Sequence, residues 1–400
     1  MNRIFLALSV LATAALLASC LPGGTATPAA TPEASETPLP AAAATGTPSS
    51  YPERTDPVGI AIVQNKGTLL AFYDFDGNLL GTRSLLPSGS SSDRIHVSGS
   101  ASAGLESLTV IRVKHGYQEL VVMDGEQEIL RLDDSNLHSY AAVPGQPVIA
   151  FGTTKPTENS GEVVSQIYIG TPDTLADAQP VFNYTGPHGG ALGPVRIKIE
   201  SGHPVGIWYS LRPYAIGGHI LYDTAFGLYY LDLASGLSTE FTVPDDDIFQ
   251  PVFSPDEAWL SYVSHGSMKF YNMQSGETFQ IAQLPESDRG GGDVTIAPDN
   301  HYVAWKEAHG STLGDPPDYY AILRIGVIGE GPSRDFTETF FEQAVGDVVY
   351  DMTPIVWLDG QTLLVSLMDG NGFRQLWTLD LSGPTPRLLA DGDFIGFIYP

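Results

Sequence analysis

From Val58 to Pro400 the chain consists of short runs rich in β-branched and aromatic residues, separated by clusters of Gly, Pro, Asp and Asn. No stretch keeps a helical apolar period for more than about two turns. Alternation with a period of two places successive side chains on opposite faces, so this body is predicted to be all-β. Three segments share an apolar, turn, apolar pattern: Phe253-Ser254-Pro255-Asp256-Glu257-Ala258-Trp259, Ile296-Ala297-Pro298-Asp299-Asn300-His301-Tyr302 and Val356-Trp357-Leu358-Asp359-Gly360-Gln361-Thr362. Pro presets φ at the second turn position and the Asp carboxylate caps the turn, as two antiparallel strands of one sheet require. Asp256 and Asp299 lie 43 residues apart and Asp299 and Asp359 lie 60 apart, which predicts one more repeat carrying an insertion around Gly310 to Tyr319.

A second element falls between these repeats, in Leu228-Tyr229-Tyr230-Leu231-Asp232, Met268-Lys269-Phe270-Tyr271-Asn272 and Leu376-Trp377-Thr378-Leu379-Asp380. In the first two, a Gly stands four residues after the terminal Asp or Asn, and in the third three residues after Asp380. These read as third strands entering a hairpin to a fourth. Four strands in roughly 40 to 50 residues is the size of a propeller blade. Repeat starts are expected near Val58, Ile95, Tyr140, Val195, Pro251, Asp293 and Pro354, predicting a β-propeller of seven four-stranded antiparallel blades, with six as the alternative. The apolar tail Asp393 to Tyr399 is expected to pair with the first blade and close the ring. Trp259, Trp305, Trp357 and Trp377, four of the five tryptophans, lie within strand patterns and are expected to fill space between blades.

The Phe-Ser-Pro-Asp turn followed by a Tyr-x-Asp-x-x-x-Gly strand resembles the TolB-like, WD40-related propeller repeats of bacterial envelope proteins. The resemblance covers residues 205 to 390. It departs from the pattern in two ways: no Trp-Asp dipeptide occurs, and the Gly expected after the turn Asp is present at Gly360 but replaced by Glu257 and Asn300 elsewhere.

The first 56 residues differ in composition. Arg3 followed by the apolar stretch Ile4 to Ala18 reads as a signal peptide over residues 1–19, too short to span a bilayer. Leu17-Ala18-Ser19-Cys20 resembles the bacterial lipobox, and the resemblance implies that Cys20, the single cysteine of the chain, is the lipidated first residue of the mature protein. Two or three acyl chains would hold it stably at a membrane. Between Leu21 and Asp56, 28 of 36 residues are Pro, Thr, Ala, Ser or Gly, a composition unable to offset its ordering entropy by burial. Residues 20–56 are therefore expected to be a lipidated tether and residues 57–400 the propeller, lying outside the cytoplasm on either the cell membrane or the outer membrane.

Charge narrows the partners. With 46 acidic against 19 basic residues the formal net charge is −27, and the few lysines and arginines are scattered, which argues against nucleic acid. One cysteine excludes a disulfide framework and a zinc site of paired thiolates.

Candidate chemistry is sparse. His188-Gly189-Gly190 resembles the oxyanion loop of prolyl-oligopeptidase-like enzymes but lies inside the repeats with no Gly-x-Ser-x-Gly elbow nearby, so a glycine-rich connection explains it better. His219, His265 and His301 would need converging loops to meet. Calcium is conceivable at Asp245-Asp246-Asp247 or at Asp74-Phe75-Asp76-Gly77-Asn78, where oxygen-bearing side chains cluster, although the second is also what a hairpin turn needs; no other cofactor is expected. Arg212, Tyr214 and His219, on an apparent connection between strands, are the candidate binding residues, mixing basic and aromatic groups as binding surfaces do.

The expected role is non-catalytic binding of a protein or envelope polymer by a monomeric, lipid-anchored domain. An enzyme using Asp/Glu pairs in the central channel, a glycan-active hydrolase or lyase, is the alternative, and a purely structural surface lipoprotein a third.

Overall fold

The structure, a computed structural model, describes residues 57–398 except 65–68, 85–93, 98–106, 115–116, 125–126, 135–136, 144–145, 147, 160, 188–189, 213–224, 285–289 and 311–317, and describes 94–138 by backbone alone. Strands dominate, with two short helices among the described residues, α1 (Pro172–Leu175) and α2 (Glu338–Val345).

Among the described residues the strand pairs are antiparallel and most neighbours are joined by short connections, so the strands of a sheet follow the order of the chain, the C-terminal strand excepted. One sheet orders Arg94–Val97, Ser107–Lys114, Tyr117–Asp124 and Gln127–Asp134; the next orders Leu137–Ala142, Ile149–Pro156, Glu162–Gly170 and Phe182–Pro187. An eight-stranded sheet consists of two four-stranded groups, opened by Ala191–Glu200 and by Phe249–Phe253, which meet through the single pair Phe226 and Phe249. Two further sheets are opened by Gly291–Ile296 and Val349–Trp357. The expected starts at Ile95, Tyr140, Val195, Pro251, Asp293 and Pro354 each fall in the strand that opens a group. Val58 differs: it precedes Gly59–Gln64, and the C-terminal Asp393–Ile398 pairs along the outer side of that strand, Ile60 opposite Phe397 and Val63 opposite Asp393.

The turn residues behave as their chemistry dictates. In the first Ser-Pro-Asp turn, Ser254 Oγ donates to Asp256 Oδ1 at 2.7 Å and the Ala258 amide donates to the same oxygen at 3.0 Å. The third strands end on Asp232 and Asn272, whose side-chain oxygens accept the amides of Ser235 and Ser275, while Gly236 and Gly276 take the left-handed conformation at φ +70° and +76°.

Apolar side chains collect between consecutive groups. One cluster joins Leu323, Ile325 and Phe336 to Met352, Leu363 and Val365 of the next sheet, another joins Met268 and Phe270 to Val303 and Trp305, and a third joins Ile60 and Ile62 to Leu364 and Leu376. Face-to-face packing of twisted four-stranded sheets is the arrangement a propeller needs. Trp305 and Trp357 are buried in these layers, and Trp357 Nε1 donates to the Thr295 carbonyl of the preceding sheet at 3.1 Å.

The insertion expected at Gly310 to Tyr319 accounts for only part of the long spacing. The connection from Gly331–Thr337 to Val349–Trp357 carries α2, held in place by fully buried Phe341 and ended by Gly346 at φ +74°. An eight-residue helix offers barely two turns of periodicity, so its signal was too short to stand out.

Candidate functional site

In each four-stranded group the first and third strands begin, and the second and fourth end, at the same end of the sheet. This end, called the rim below, carries the connections that leave the second strands. Arg212 closes one such strand, His203–Arg212, and its side chain lies over Gly193, where an added Cβ would come 2.4 Å from Nε. Tyr214 and His219 lie outside the described residues, as do Cys20 and His188. His265 follows the second strand Trp259–Ser264 at the rim, with Nε2 3.4 Å from the Asp245 carbonyl. His301 precedes the second strand Tyr302–His309 and so sits at the opposite end. His265 and His301 therefore do not converge: alternating strand direction places them at opposite ends.

The three aspartates at 245–247 form a turn closed by a bridge between Val243 and Asp246. Asp246 is the buried member, with only 6% of its side chain exposed. Its Oδ2 accepts from Tyr262 Oη at 2.8 Å and its Oδ1 pairs with Lys269 Nζ. Burial alone would raise its pKa, but hydrogen bonds from Lys269 and Tyr262, with the Lys269 charge, outweigh that and hold the carboxyl below the usual range. Burial and the Asp246 carboxylate in turn push the Tyr262 hydroxyl upward. Asp74 is likewise occupied, its two oxygens accepting the Asn78 amide at 2.7 Å and Asn78 Nδ2 at 2.8 Å, with Gly77 left-handed at φ +86°. No group of three or more His, Cys, Asp or Glu side chains able to hold a metal occurs among the described residues.

A second polar assembly occupies the rim between the last two sheets. Lys306 and Glu307 are adjacent on one strand and point to opposite faces. Lys306 Nζ meets Asp351 Oδ1 of the next sheet at 2.5 Å, and Tyr319 Oη donates to the same oxygen at 3.3 Å. On the other face Glu307 Oε1 accepts from Trp305 Nε1 at 3.0 Å, while Arg324 Nε and His309 Nε2 lie 2.9 and 3.4 Å from Oε2. Glu338, at the start of α2, accepts the Ala321 amide at 2.9 Å; burial raises its pKa, and the neighbouring Asp351 and Glu342 carboxylates add to the rise.

The strands that open two groups, Phe249–Phe253 and Gly291–Ile296, add a small open recess of about 180 Å³, lined by Gln250, Pro251, Val252, Asp293 and Val294. Gln250 and Asp293 each stand six residues before the turn Asp of their repeat, and both adopt left-handed backbone, φ +52° and +53°, at matching bulges. Non-glycine residues held this way cost about 1–3 kcal/mol each.

The departures from Gly after the turn Asp now have a physical account. Glu257 and Asn300 keep the left-handed conformation, φ +62° and +59°, and use their side chains to tie neighbouring sheets. Arg196 Nε donates to Glu257 Oε1 at 2.8 Å, and Asn300 Nδ2 donates to Asp256 Oδ2 at 2.7 Å. At Gly360 an added Cβ would lie 2.5 Å from Asp299 Oδ2, so the third turn packs its neighbour's carboxylate where the others carry a side chain. Sequence reasoning missed Asp351, Arg324 and Lys306 as partners, because each pairs with a residue on another strand.

No known family description and no curated protein matches the sequence. Solved structures do. A structure from a study of two prolyl endopeptidases superposes with a TM-score of 0.55 at 10% identity, covering 85% of this chain and 51% of that one. TolB from Acinetobacter baumannii gives 0.39 at 14% identity, with 85% and 81% covered, and an oligogalacturonate lyase from Vibrio parahaemolyticus gives 0.48 at 13%, with 80% and 91% covered. At such identities the likeness is one of fold, and the fold is of the β-propeller type, built from four-stranded antiparallel sheets.

Proposed function

We propose that this protein is a lipid-anchored β-propeller outside the cytoplasm that binds a protein or an envelope polymer through its rim without catalysing a reaction on it. In this reading the seven four-stranded groups are seven blades, Asp393–Ile398 closes the ring on Gly59–Gln64, Cys20 carries the lipid, and the Pro/Thr/Ala-rich stretch to residue 56 is the tether. The observation that carries the binding role is that Asp246, Lys306 and Glu307, buried at the rim, are matched by Lys269, Asp351 and Arg324, while Glu338 is engaged by the Ala321 amide. General acid–base chemistry needs a group poised to exchange its proton with substrate, whereas these pairs fix the sheet ends that display the connections. Cross-linking the intact lipoprotein in its own cells, followed by purification through a C-terminal tag, tests this. The expected result is a stoichiometric partner that is lost when Arg212, Tyr214 and His219 are replaced by Ala; recovery of background lipoproteins alone overturns the role.

A second reading, a glycan-active hydrolase or lyase, draws on the recess beside Asp293, because strained backbone gathers at catalytic sites. Two-carboxylate glycoside chemistry needs a second carboxyl about 5–9.5 Å away. Loss of glycan turnover in Asp293→Asn, with binding retained, is the outcome that would favour it.

A further inference from the structure

We infer that the docking surface extends over the rim of the last two sheets, and that what is seated there is an extended, Lys/Arg-bearing segment of a partner protein; this deepens the binding role proposed above and rests on it. The surface is an exposed aromatic and apolar patch. Tyr320, Val348, Tyr350 and Phe373 are between 46% and 62% exposed, and all four lie at the rim end of adjacent sheets. Large apolar side chains gathered on one exposed end mark interaction sites more often than chance exposure does.

The backbone that carries the patch is tied down, and the Tyr320 ring is stacked. Tyr320 stacks on His309 with ring centroids 4.9 Å apart and planes 8° from parallel. Tyr350 sits in the bulge where Val349 pairs with Asp369 and Asp351 pairs with Met368. Phe373 flanks the same Asp369, its amide donating to Asp369 Oδ1 at 2.8 Å. Tyr319 and Asp351, the chain neighbours of Tyr320 and Tyr350, are themselves 3.3 Å apart at their oxygens, joining the two sheets under the patch. Val348 is fixed by Asp347, whose Oδ1 accepts its amide at 2.7 Å, and the Val349 amide donates to Glu342 Oε1 at 3.3 Å. Preorganised aromatic side chains lose little entropy on docking.

Charge complementarity selects the occupant. At this rim Glu342, Asp347 and Asp369 stand within six residues of Val348, Tyr350 or Phe373, and the nearby bases are matched: Lys306 by Asp351, Arg324 by Glu307, and Arg374 by Asp393 at 3.8 Å. Aromatic faces edged by carboxylates favour cations twice over: guanidinium and ammonium groups stack on the ring faces, and the carboxylates attract the same charge. An acidic or phosphorylated partner would be repelled, and a neutral glycan would gain nothing from the carboxylate excess.

The test uses the full-length lipoprotein in non-ionic detergent and a fluorescent dodecapeptide of alternating Arg and Gly, titrated by anisotropy at low and high salt. Saturable binding is expected, weakened about tenfold in the double variant Tyr350→Ala with Phe373→Ala, which leaves the net charge unchanged. Glu342→Gln with Asp347→Asn, which keeps both amide acceptors, should weaken it several-fold and flatten its salt dependence. Leu80→Ala with Leu237→Ala, trimming exposed apolar groups at the opposite end, should leave it unchanged. Equal binding by the aromatic double variant, absence of saturable binding, or preferential binding of soluble cell-wall glycan fragments each overturns the inference. Loss of peptide binding with a cross-linked cellular partner retained overturns this surface alone. Saturable peptide binding with no partner recovered from cells overturns the docking role while leaving the chemistry of the surface standing.

Discussion

Replacing Asn300 separates the backbone and side-chain parts of the link between neighbouring sheets. Asn300 holds φ +59° and donates through Nδ2 to Asp256 Oδ2 at 2.7 Å, 44 residues away in sequence. Asn300→Gly loses that bond, a charge-assisted one at an exposed position, for about 0.5–1.5 kcal/mol; it also frees the unfolded chain, which about offsets the strain that glycine relieves. Asn300→Ala loses the same bond and must also hold a Cβ in left-handed backbone, at about 1 kcal/mol more. The expected costs are thus about 1 kcal/mol for Gly and about 2 kcal/mol for Ala, read as shifts in the urea midpoint at unchanged slope. A cycle with Asp256→Ala, whose own effect is larger because that carboxylate also caps its turn through Ser254 and Ala258, should give a coupling of about 0.5–1.5 kcal/mol. Equal costs for Gly and Ala would refute the backbone argument, and strict additivity with Asp256→Ala would refute the link.

Gly392 precedes the terminal strand at φ +124°, and a Cβ there would come 2.2 Å from the Val63 carbonyl, so Gly392→Ala should cost more than about 2 kcal/mol and remove hydrogen-exchange protection from both Asp393–Ile398 and Gly59–Gln64. Asp246→Asn should cost about 1–3 kcal/mol at neutral pH by leaving Lys269 without its charge partner; because the native carboxyl is held below its unfolded value near about 3.9, that contribution is present above this value and disappears as pH falls through the lower native one, so variant and parent should converge in acid when urea midpoints are followed against pH. Glu338→Gln has the opposite sign. Burial raises the native pKa of Glu338, so its charge opposes folding at neutral pH, and the Gln variant, which still accepts the Ala321 amide, should be more stable at pH 7 with the gain fading as pH falls through the raised value toward about 4.3.

What was legible in the sequence follows the range of the interactions involved. The Ser254-Pro255-Asp256 turn, the Asp232 and Asn272 strand ends and the alternation of the tail are local, so the strands they bound and the pairing of Asp393–Ile398 could be read from neighbouring residues. The pairing of Asp256 with Asn300, or of Arg196 with Glu257, spans a whole repeat, and the sequence shows only the missing glycine that results. Lys306 and Glu307 illustrate the limit well: one residue apart, they engage Asp351 and Arg324 on opposite faces of the sheet. In the triple aspartate adjacent carboxylates point different ways, and it is Asp246 that enters the interior. Helix α2 did carry a signal, Phe341 and Val345 spaced four apart before Gly346, but too brief a one to outweigh the surrounding β pattern.

The acid excess has two physical origins that the fold distinguishes. An all-β chain of hairpins needs many turns, and Asp is the side chain that accepts turn amides: Asp369 accepts two, and Asp74, Asp232, Asp256 and Asp380 accept one each. Their pKa values are lowered by those hydrogen bonds, most strongly from the Asn78 side chain at Asp74, from Ser235 at Asp232, from the Phe373 amide at Asp369 and from Ser382 at Asp380, while at Asp256 burial opposes and the bonds prevail. Such carboxylates are part of the architecture and would be present whatever the protein binds. Glu342 and Asp347 accept amides outside the hairpins, beside exposed Val348 and Tyr350. There the acidity lies against aromatic surface that the core does not bury, which is the pairing a cationic segment would use.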